Sequence, residues 1–462
     1  MFKLLFADDR GAVYDHPRLR AAARSGGSAF APRERPIALP EGSTLCVLPG
    51  RWPVGFDPET GEEVVLREAR VGRRTFAPVA VGAALPPGYT RLLLPATARP
   101  PLATARVPIL PQWAYTAAAL GPDGAVAWAL RTDRRRHWDV ATHSTPDLAG
   151  RVEALCQASP NPIYRQLARC ALEWRCFTAQ NLFYGRDEGA IPSSAACNAR
   201  CVGCLSETEE GMPPPSHERI LHPPTAAEMA EVGVRHLAAA GGRIMVSFGQ
   251  GCEGEPLLAW KAIARSIRLV RDVTPRGSIN VNTNGSMPEA LSALADAGLD
   301  AVRISTNTAS EDLYQAYYRP VGYRLEDVVD SMRVAKAKGL YLALNLLTFP
   351  GVTDREQEVE RLCRLVKRVG VDQVQTRSLA MDPDLYWQIA RDRGGRGEAM
   401  GMRALLRALQ DARPGLVIGN FARGLGEREP ARTAGAARTA RAAGTTRAES
   451  TRKRATARGR AA

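Results

Sequence analysis

The chain has 462 residues, of which 45% are hydrophobic and 24% charged, and its formal net charge is +14. These values are typical of an ordinary soluble protein that buries a large core and holds more than one folded unit. No stretch approaches the roughly 20 apolar residues of a membrane helix. Asp8 and Asp9 interrupt the first residues before a signal-peptide apolar region can form. We therefore expect a cytoplasmic protein without a membrane partner.

The first 145 residues are rich in proline and glycine. Their short apolar runs, such as LCVLPG, RLLLPA and AVAWAL, are bounded by turn signals such as DPETGE and GPDG. This pattern predicts a small antiparallel β-rich domain, and it contains no motif that indicates a role. Residues 146–187 have mainly helical patterns and are predicted to form a connector.

From residue 188 to about 420, short β-branched runs alternate with helical patterns. The predicted strands are GAIPSSA, RIMVSFG, SINVNTN, AVRISTN, LYLALNLL and VDQVQTR. The predicted helices lie near 225–240, 256–272, 288–298, 325–338 and 354–369. Such alternation indicates βα repeats around a parallel sheet. Six strands are too few for a closed eight-stranded barrel, so the predicted fold is α/β, with a partial (β/α)6 barrel like that of triosephosphate isomerase.

Residues 421–462 are expected to form a disordered basic tail. From Arg423 onward there are 11 Lys or Arg against 3 Asp or Glu, which accounts for +8 of the net charge. The low-complexity Ala, Arg, Thr and Gly composition offers little apolar surface to offset the entropy of ordering. The tail is either an arm for nucleic acid or a dispensable extension. We favour the extension, because no aromatic residues are interleaved to stack on bases.

Three cysteines stand close together in AACNARCVGCLS, just after the first predicted strand: Cys197, Cys201 and Cys204. Clustered thiols among nine cysteines without a regular framework fit a reducing compartment. They can hold zinc with a fourth ligand such as His217 or Cys252, or an iron–sulfur cluster with one iron lacking a protein ligand. Spacing alone leaves both readings open. The strand–loop position indicates a ligand site, since ligands gather at the carboxyl ends of parallel strands.

Over residues 188–390 the sequence resembles the radical S-adenosylmethionine (SAM) superfamily, whose hallmark is CxxxCxxC after the first strand of a partial barrel. Further matching features follow in order: the turn GCEGEPLL after the second strand, TNG after the third, Ser305 and Asn307 at the fourth, and Asn345 with FPGVTD at the fifth. In one departure from the family pattern, the residue before the third cysteine is Gly203 instead of an aromatic residue. The resemblance therefore implies that the usual contact near the adenine comes from elsewhere or is absent.

The resemblance implies a [4Fe-4S] cluster held by Cys197, Cys201 and Cys204, with SAM chelating the remaining iron. An electron from the cluster would cleave SAM to methionine and a 5′-deoxyadenosyl radical that abstracts hydrogen from an unidentified substrate. An electron donor such as flavodoxin or ferredoxin is implied as a partner. The implied SAM-binding residues are Gly254, Glu255, Asn284, Ser305, Asn307 and Asn345.

Other residues carry weaker expectations. Cys252 and Asp382 are the candidates for catalysis, although Cys252 in a tight turn also suits a small buried filler. Cys156, Cys170 and Cys176 can ligate a second cluster or, as we favour, fill a helical core. No cysteine follows Cys363, which disfavours the cysteine-rich extension of many peptide-modifying relatives. Aromatic residues near 314–318 are expected to pack on the sheet. The residues expected near the substrate are Arg319, Gln375, Arg377 and Asp382.

The leading interpretation is thus a radical SAM enzyme acting on an unidentified substrate, with the N-terminal region recognising or shielding that substrate. An RNA-modifying enzyme of the same family is supported only by the basic tail. An iron–sulfur protein that transfers electrons or regulates without turning over SAM is a further alternative, because of Gly203.

Overall fold

The computed structural model describes residues 2–101, 107–239 and 243–425. Residues 1–426 group into one compact unit. Most of the tail predicted at 421–462 lies outside the described residues. Its first residues do not fit that prediction, because Phe421 and Ala422 are buried. The folded chain therefore extends beyond residue 420. No helix in the described ranges has the length and hydropathy needed to cross a bilayer.

The N-terminal region is built from short strands, as its turn-rich sequence predicts. They are β1 (Lys3–Ala7), β2 (Val13–Ala21), β3 (Ala23–Ser25), β4 (Ser28–Phe30), β5 (Ile37–Ala38), β6 (Thr44–Leu48), β7 (Trp52–Phe56), β8 (Glu63–Val65), β9 (Ala69–Val71), β10 (Arg74–Phe76), β11 (Val79–Ala84), β12 (Tyr89–Arg91), β13 (Leu94–Pro95), β14 (Thr97–Ala98), β15 (Ala118–Gly121), β16 (Gly124–Ala127) and β17 (Ala129–Arg131). Ten of them form one sheet around β1, and every pairing is antiparallel. Short 3-10 turns at Arg136–Trp138 and Val140–Thr142 follow.

Three helices join this region to the rest: α1 (Leu148–Ala158), α2 (Pro162–Leu172) and α3 (Phe177–Tyr184). The side chain of Asn161 caps α2 by accepting from the backbone N–H of Ile163, and Pro162 occupies the first helical position, where its missing N–H costs nothing. Gly185 ends α3 in the left-handed conformation.

The second half of the chain forms one parallel sheet in strict sequence order. Its strands are β18 (Glu188–Ile191), β19 (Met245–Phe248), β20 (Ser278–Thr283), β21 (Ala301–Thr306), β22 (Tyr341–Thr348), β23 (Gln373–Ser378) and β24 (Val417–Gly419). The helices between and after them are α4 (Ala226–Ala238), α5 (Trp260–Val273), α6 (Pro288–Ala297), α7 (Glu311–Tyr318), α8 (Leu325–Ala337), α9 (Glu356–Val369), α10 (Pro383–Ala390) and α11 (Met402–Ala412). A 3-10 turn, Pro256–Ala259, leads into α5.

The α/β architecture with an open parallel sheet agrees with the sequence-based expectation, with one strand more than predicted. The seventh strand, β24, is only three residues long and pairs with β23. Within the described residues β18 and β24 do not pair with each other, so the sheet remains open.

The parallel sheet is curved, as an ion pair across it shows. Arg303 Nη2 on β21 lies 3.2 Å from Glu188 Oε1 on β18. These strands are three positions apart, about 14 Å in a flat sheet, so the two side chains meet because the sheet curls toward them. The concave face carries polar side chains, and the convex face carries aliphatic ones that are buried under the helices.

The N-terminal region docks beside β23 through polar contacts. The hydroxyl groups of Thr90 and Thr376 form a hydrogen bond, with their oxygens 2.6 Å apart. The backbone N–H of Arg91 donates to the Ser378 hydroxyl. The apolar core is continuous across this boundary, since Leu92 and Trp128 belong to the same buried cluster as the parallel strands. The N-terminal region is therefore packed against the carboxyl half of β23.

Candidate active site

The cysteine triplet lies on the loop after β18, at the carboxyl edge of the parallel sheet. The carbonyl groups at the end of α7 hold one side of this loop. The backbone N–H of Val202 donates to Tyr317 O, and that of Arg200 donates to Tyr318 O, both at 3.0 Å. These bonds satisfy helix-end carbonyls that would otherwise lack partners. The loop is thus anchored to a buried helix.

A buried carboxylate anchors the start of the same loop. Glu253 Oε2 accepts from the backbone N–H groups of Ser193 at 2.7 Å and Ser194 at 3.0 Å. Its Oε1 accepts from those of Gly249 at 2.6 Å and Gln250 at 3.0 Å. Burial raises the pKa of Glu253, while these hydrogen bonds favour its charged form. Glu253 therefore ties the loop after β18 to the loop after β19.

Gly254 packs directly against the cysteine loop. Its N–H donates to Ser194 O at 2.7 Å, and the next N–H, from Glu255, donates to Ala196 O at 2.8 Å. A Cβ atom at position 254 would lie 2.0 Å from Ala196 O. The glycine therefore permits backbone packing against the residue before Cys197, and a side chain there would displace the cysteine loop as well as any ligand.

The three thiols influence one another. Burial raises the pKa of the Cys201 thiol well above its ordinary value, and Cys204 and Cys197 raise it further. Burial also raises the pKa of Cys197 to about 11. Arg219 Nη2 lies 3.8 Å from Cys204 Sγ. Three neighbouring, partly buried thiols become thiolates readily only when a cation binds them, so the donor set fits a metal centre.

Zinc is the alternative to a cluster at this triplet. Within the described ranges, no group of three or more His, Cys, Asp or Glu side chains is placed to hold one metal ion. A cubane cluster has a different requirement, since each thiolate binds its own iron. His217 stays near the triplet, since its backbone N–H donates to Leu205 O at 2.9 Å and its ring lies close to Gly251 and the Trp174 ring. The iron–sulfur interpretation therefore rests on the spacing of the three cysteines and the resemblance that it carries.

A tyrosine from α7 occupies the space beside Gly203. A Cβ atom at Gly203 would stand 2.7 Å from the Tyr317 hydroxyl oxygen. Tyr317 is buried, and its ring packs edge-on against those of Tyr318 and Tyr386. The space that a side chain at position 203 would take is thus occupied by a tyrosine from a neighbouring helix. The expected packing of the aromatic residues near 314–318 is confirmed in that they are buried, with Tyr314 and Tyr318 stacked at 4.5 Å.

Glu255 and Asn284 are engaged by the protein itself. Burial raises the pKa of Glu255 to about 7, although its carboxylate accepts from the N–H groups of Asn284 and Leu257 and from the Thr283 hydroxyl. Asn284 Nδ2 donates to Asn198 Oδ1 on the cysteine loop at 2.8 Å. Both residues therefore lie at the predicted site, where they fix the loops around the cysteines.

Ser305 and Asn345 face each other on adjacent strands. Asn345 Nδ2 donates to Ser305 Oγ at 3.1 Å, and both residues are partly exposed on the concave face. Asn307 is fully buried, with its amide bonded to the Tyr386 hydroxyl and its Oδ1 unpartnered. The structure thus brings Ser305 and Asn345 to the open face and places Asn307 behind them.

The two candidate catalytic residues lie apart from this face. Cys252 is 3% exposed, and its free thiol lies beside that of Cys170 in the apolar core. Asp382 forms a buried ion pair with Arg51 at 2.8 Å and caps α10. The filler interpretation of Cys252 fits this position, and Asp382 anchors the N-terminal region. Arg319 also points elsewhere, since its guanidinium pairs with the exposed Glu209.

A polar network crosses the concave face below the cysteine loop. Glu188 Oε1 accepts from Arg303, from Ser247 Oγ at 2.6 Å and, more distantly, from Gln250 Nε2. Gln375 Oε1 accepts from Arg303 Nη1 at 2.9 Å. Arg377 lies on the same strand as Gln375, two residues nearer its carboxyl end. Gln375 and Arg377, which the sequence analysis expects near the substrate, therefore lie on the concave face of the sheet.

Several site residues escaped the sequence analysis. Gln112, from the N-terminal region, donates its side-chain amide to Cys204 O at 2.8 Å, and its buried Oε1 has no partner among the residues that the structure describes. Nothing local to Gln112 signals this contact. Glu188 and Arg303 carried a usable signal, because each is a charged residue within or beside an otherwise apolar strand pattern.

Comparison with known proteins agrees with this site. The family model described as the radical SAM superfamily matches residues 191–379. A GTP 3′,8-cyclase of Mycobacterium ulcerans (strain Agy99) is 30% identical over 277 residues, covering 59% of this chain and 67% of that protein. Another, of Mycobacterium marinum (strain ATCC BAA-535 / M), is 30% identical over 216 residues, covering 46% of this chain and 54% of that protein.

The chain thus spans between about half and two thirds of the length of these relatives. Among solved structures, a radical SAM methyltransferase from Sphaerobacter thermophilus is 16% identical, with a TM-score of 0.35 over 50% of this chain and 65% of the other. The family assignment rests on the sequence matches and not on the structural ones.

Proposed function

Since the chain belongs to the radical SAM superfamily, whose cofactors are a [4Fe-4S] cluster and SAM, we propose that Cys197, Cys201 and Cys204 hold that cluster. When bound, the cluster, once reduced by an external one-electron donor, would pass that electron to SAM and so cleave it to methionine and a 5′-deoxyadenosyl radical. We propose that the radical abstracts hydrogen from a substrate bound on the concave face of the parallel sheet. The protein's own part is to position the groups and exclude water.

One observation supports this proposal above the others. The three thiols share one loop at the carboxyl edge of the sheet, and that loop is held on one side by α7 and on the other by Glu253. A rigid loop keeps the three ligands in place while the fourth iron stays open to SAM. Ser305 and Asn345, on the same edge, offer hydroxyl and amide groups to SAM or substrate.

The relatives suggest a substrate class, which membership of the superfamily does not. The relatives named GTP 3′,8-cyclase make a purine nucleoside triphosphate the first substrate to test. The matched region spans only part of those proteins, so the reaction on this chain is proposed as hydrogen abstraction, with GTP as the first candidate.

The test uses anaerobically reconstituted protein incubated with SAM and dithionite, with and without GTP. We expect 5′-deoxyadenosine from wild-type protein and none above background from Cys201→Ala. Cys363→Ala is the matched control, because Cys363 lies on α9 away from the triplet. Iron–sulfur protein that forms no 5′-deoxyadenosine with any substrate would favour the electron-transfer alternative.

A further inference from the structure

Two arginines on the concave face share one acceptor. Gln375 Oε1 accepts from Arg303 Nη1 at 2.9 Å and from Arg377 Nη2 at 3.5 Å. The two guanidinium groups are therefore close neighbours inside the curved sheet. Arg303 has a counterion in Glu188, 3.2 Å away.

Arg377 has no such counterion. Its guanidinium donates hydrogen bonds to two amide oxygens, Asn420 Oδ1 at 2.5 Å and Gln375 Oε1. Among the described residues no carboxylate forms an ion pair with it, although Glu188 and Asp133 exert a longer-range attraction. The Asp133 carboxylate already accepts hydrogen bonds from the backbone N–H groups of Asn420 and Phe421. Burial, together with the charge of Arg303, lowers the pKa of Arg377 to about 10, so the group stays charged at neutral pH.

Arg91 shows what a purely structural buried arginine looks like in this protein. Its guanidinium donates to three backbone carbonyls, of Tyr115, Thr348 and Leu379, and lies over the Phe349 ring. Arg91 is fully buried, whereas Arg377 is partly exposed. A guanidinium has five N–H donors, and Arg377 directs two of them to protein acceptors. Arg377 therefore keeps donor capacity facing the concave side.

We propose that Arg377 binds an oxyanion of the substrate, a phosphate or a carboxylate, and so orients the substrate beneath the cysteine loop. A partly desolvated cation with unused, planar donors favours a ligand that supplies negative charge and paired oxygen acceptors. Gln375 and Asn420 hold the Arg377 guanidinium in place. The Glu188–Arg303 ion pair lies next to it, on the other side of Gln375. The inference rests on the proposed function for the position of the radical, but the anion site can be tested without turnover.

The experiment measures binding of radiolabelled inorganic phosphate to reconstituted protein by equilibrium dialysis, with SAM present at saturation. Wild-type protein should bind about one phosphate per chain. Arg377→Gln should raise the dissociation constant by about tenfold or more, because a hydrogen bond to a charged group is worth roughly 1.5–3 kcal/mol. Arg377→Lys, which keeps the charge, should lose less. Arg364→Gln, on the exposed side of α9, should bind as wild type does.

A second variant guards against misfolding of Arg377→Gln. Asn420→Asp keeps the shape but places a carboxylate against Arg377, and it should abolish phosphate binding. Competition by acetate would identify a site that accepts carboxylates, and resistance to acetate a site selective for phosphate. Equal phosphate binding by wild type, Arg377→Gln and Asn420→Asp would overturn the proposal.

Loss of phosphate binding when SAM is added would also overturn it, since Arg377 would then serve the SAM carboxylate. Cluster content and 5′-deoxyadenosine are measured on the same samples. Failure of the proposed function removes those signals, whereas failure of this inference leaves them intact.

Discussion

The side-chain amide of Gln112 donates a 2.8 Å hydrogen bond to the backbone carbonyl of Cys204. These residues are 92 positions apart in the sequence, so the N-terminal region directly covers the last cysteine of the triplet. The contact gives that region a structural part in the site, and we predict that the region shields the cysteine loop.

We expect Gln112→Leu to make the cluster more sensitive to oxygen while allowing it to assemble. Losing this bond costs about 1 kcal/mol, which corresponds to roughly fivefold more frequent local opening. The measurement is the rate at which the visible absorbance of the cluster disappears in air. Gln157→Leu, on the exposed side of α1, serves as the control. Identical bleaching rates in the two variants would show that Gln112 does not shield the loop.

Gly254→Ala should prevent stable cluster assembly. The new Cβ would lie 2.0 Å from Ala196 O, a backbone atom that can move only if the cysteine loop moves with it. Gly251→Ala in the same turn is the matched control, because its nearest neighbours would be 3.7 Å away. The iron and sulfide content of both variants after reconstitution distinguishes the cases. A full cluster in Gly254→Ala would mean that the two loops are packed differently.

Gly203 and Tyr317 should be energetically coupled. Gly203→Ala is expected to lower the free energy of unfolding by roughly 1–3 kcal/mol, because its Cβ would meet the tyrosine hydroxyl at 2.7 Å. Tyr317→Phe removes that oxygen and should recover most of the loss in the double variant. A double-mutant cycle by denaturant unfolding measures the coupling. Strictly additive effects would place Tyr317 away from Gly203.

The ion pairs between Asp384 on α10 and the arginines of the N-terminal region should lose their stabilising effect in acid. Burial alone would raise the pKa of Asp384, but Arg24, Arg99 and Arg51 outweigh it and lower that pKa to about 2. A carboxyl whose pKa is lowered by folding stabilises the protein above its unfolded value of 3.8, and this stability is lost as the pH falls toward 2. The contribution is about 2 kcal/mol, and unfolding titrations between pH 5 and pH 2 measure it.

At neutral pH, Asp384→Asn should lower the free energy of unfolding by about 3 kcal/mol, because it removes the carboxylate paired with Arg24 and Arg99 and leaves Arg51 with Asp382 alone. It should also flatten the pH dependence between pH 4 and pH 2. Asp296→Asn breaks only an exposed pair with Lys338 and should cost less than about 1 kcal/mol. A matching loss in both variants would argue against a buried anchor at α10.

The alternation of strands and helices from residue 188 onward was readable because each element has its own periodicity. For example, the pattern near 225–240 became α4, with Thr225 and Glu228 forming a capping box at its start. β24 was not predicted, because three residues give too short a run for alternation to show. It forms because β23 offers an unpaired edge to Val417–Gly419.

The site was predictable only where it is local in sequence. The spacing of Cys197, Cys201 and Cys204 indicated a ligand loop directly. Tyr317 and Gln112 reach that loop from distant elements, and no local pattern encodes such contacts. The sequence analysis assigned Gly254 to SAM contact, because a glycine lets any other atom approach its backbone closely. Tertiary packing decides which atom does so, and in the structure Ala196 O lies there.

The central claim is that three cysteines hold a [4Fe-4S] cluster whose fourth iron is open to SAM. It is tested most directly by electron paramagnetic resonance of the reduced, reconstituted protein before and after adding SAM labelled with ¹⁵N at its amino group. The account predicts a cluster signal that shifts with SAM and shows coupling to ¹⁵N, present in Cys363→Ala and absent in Cys201→Ala. One equivalent of zinc without sulfide, or a cluster signal that labelled SAM leaves unchanged, would contradict it.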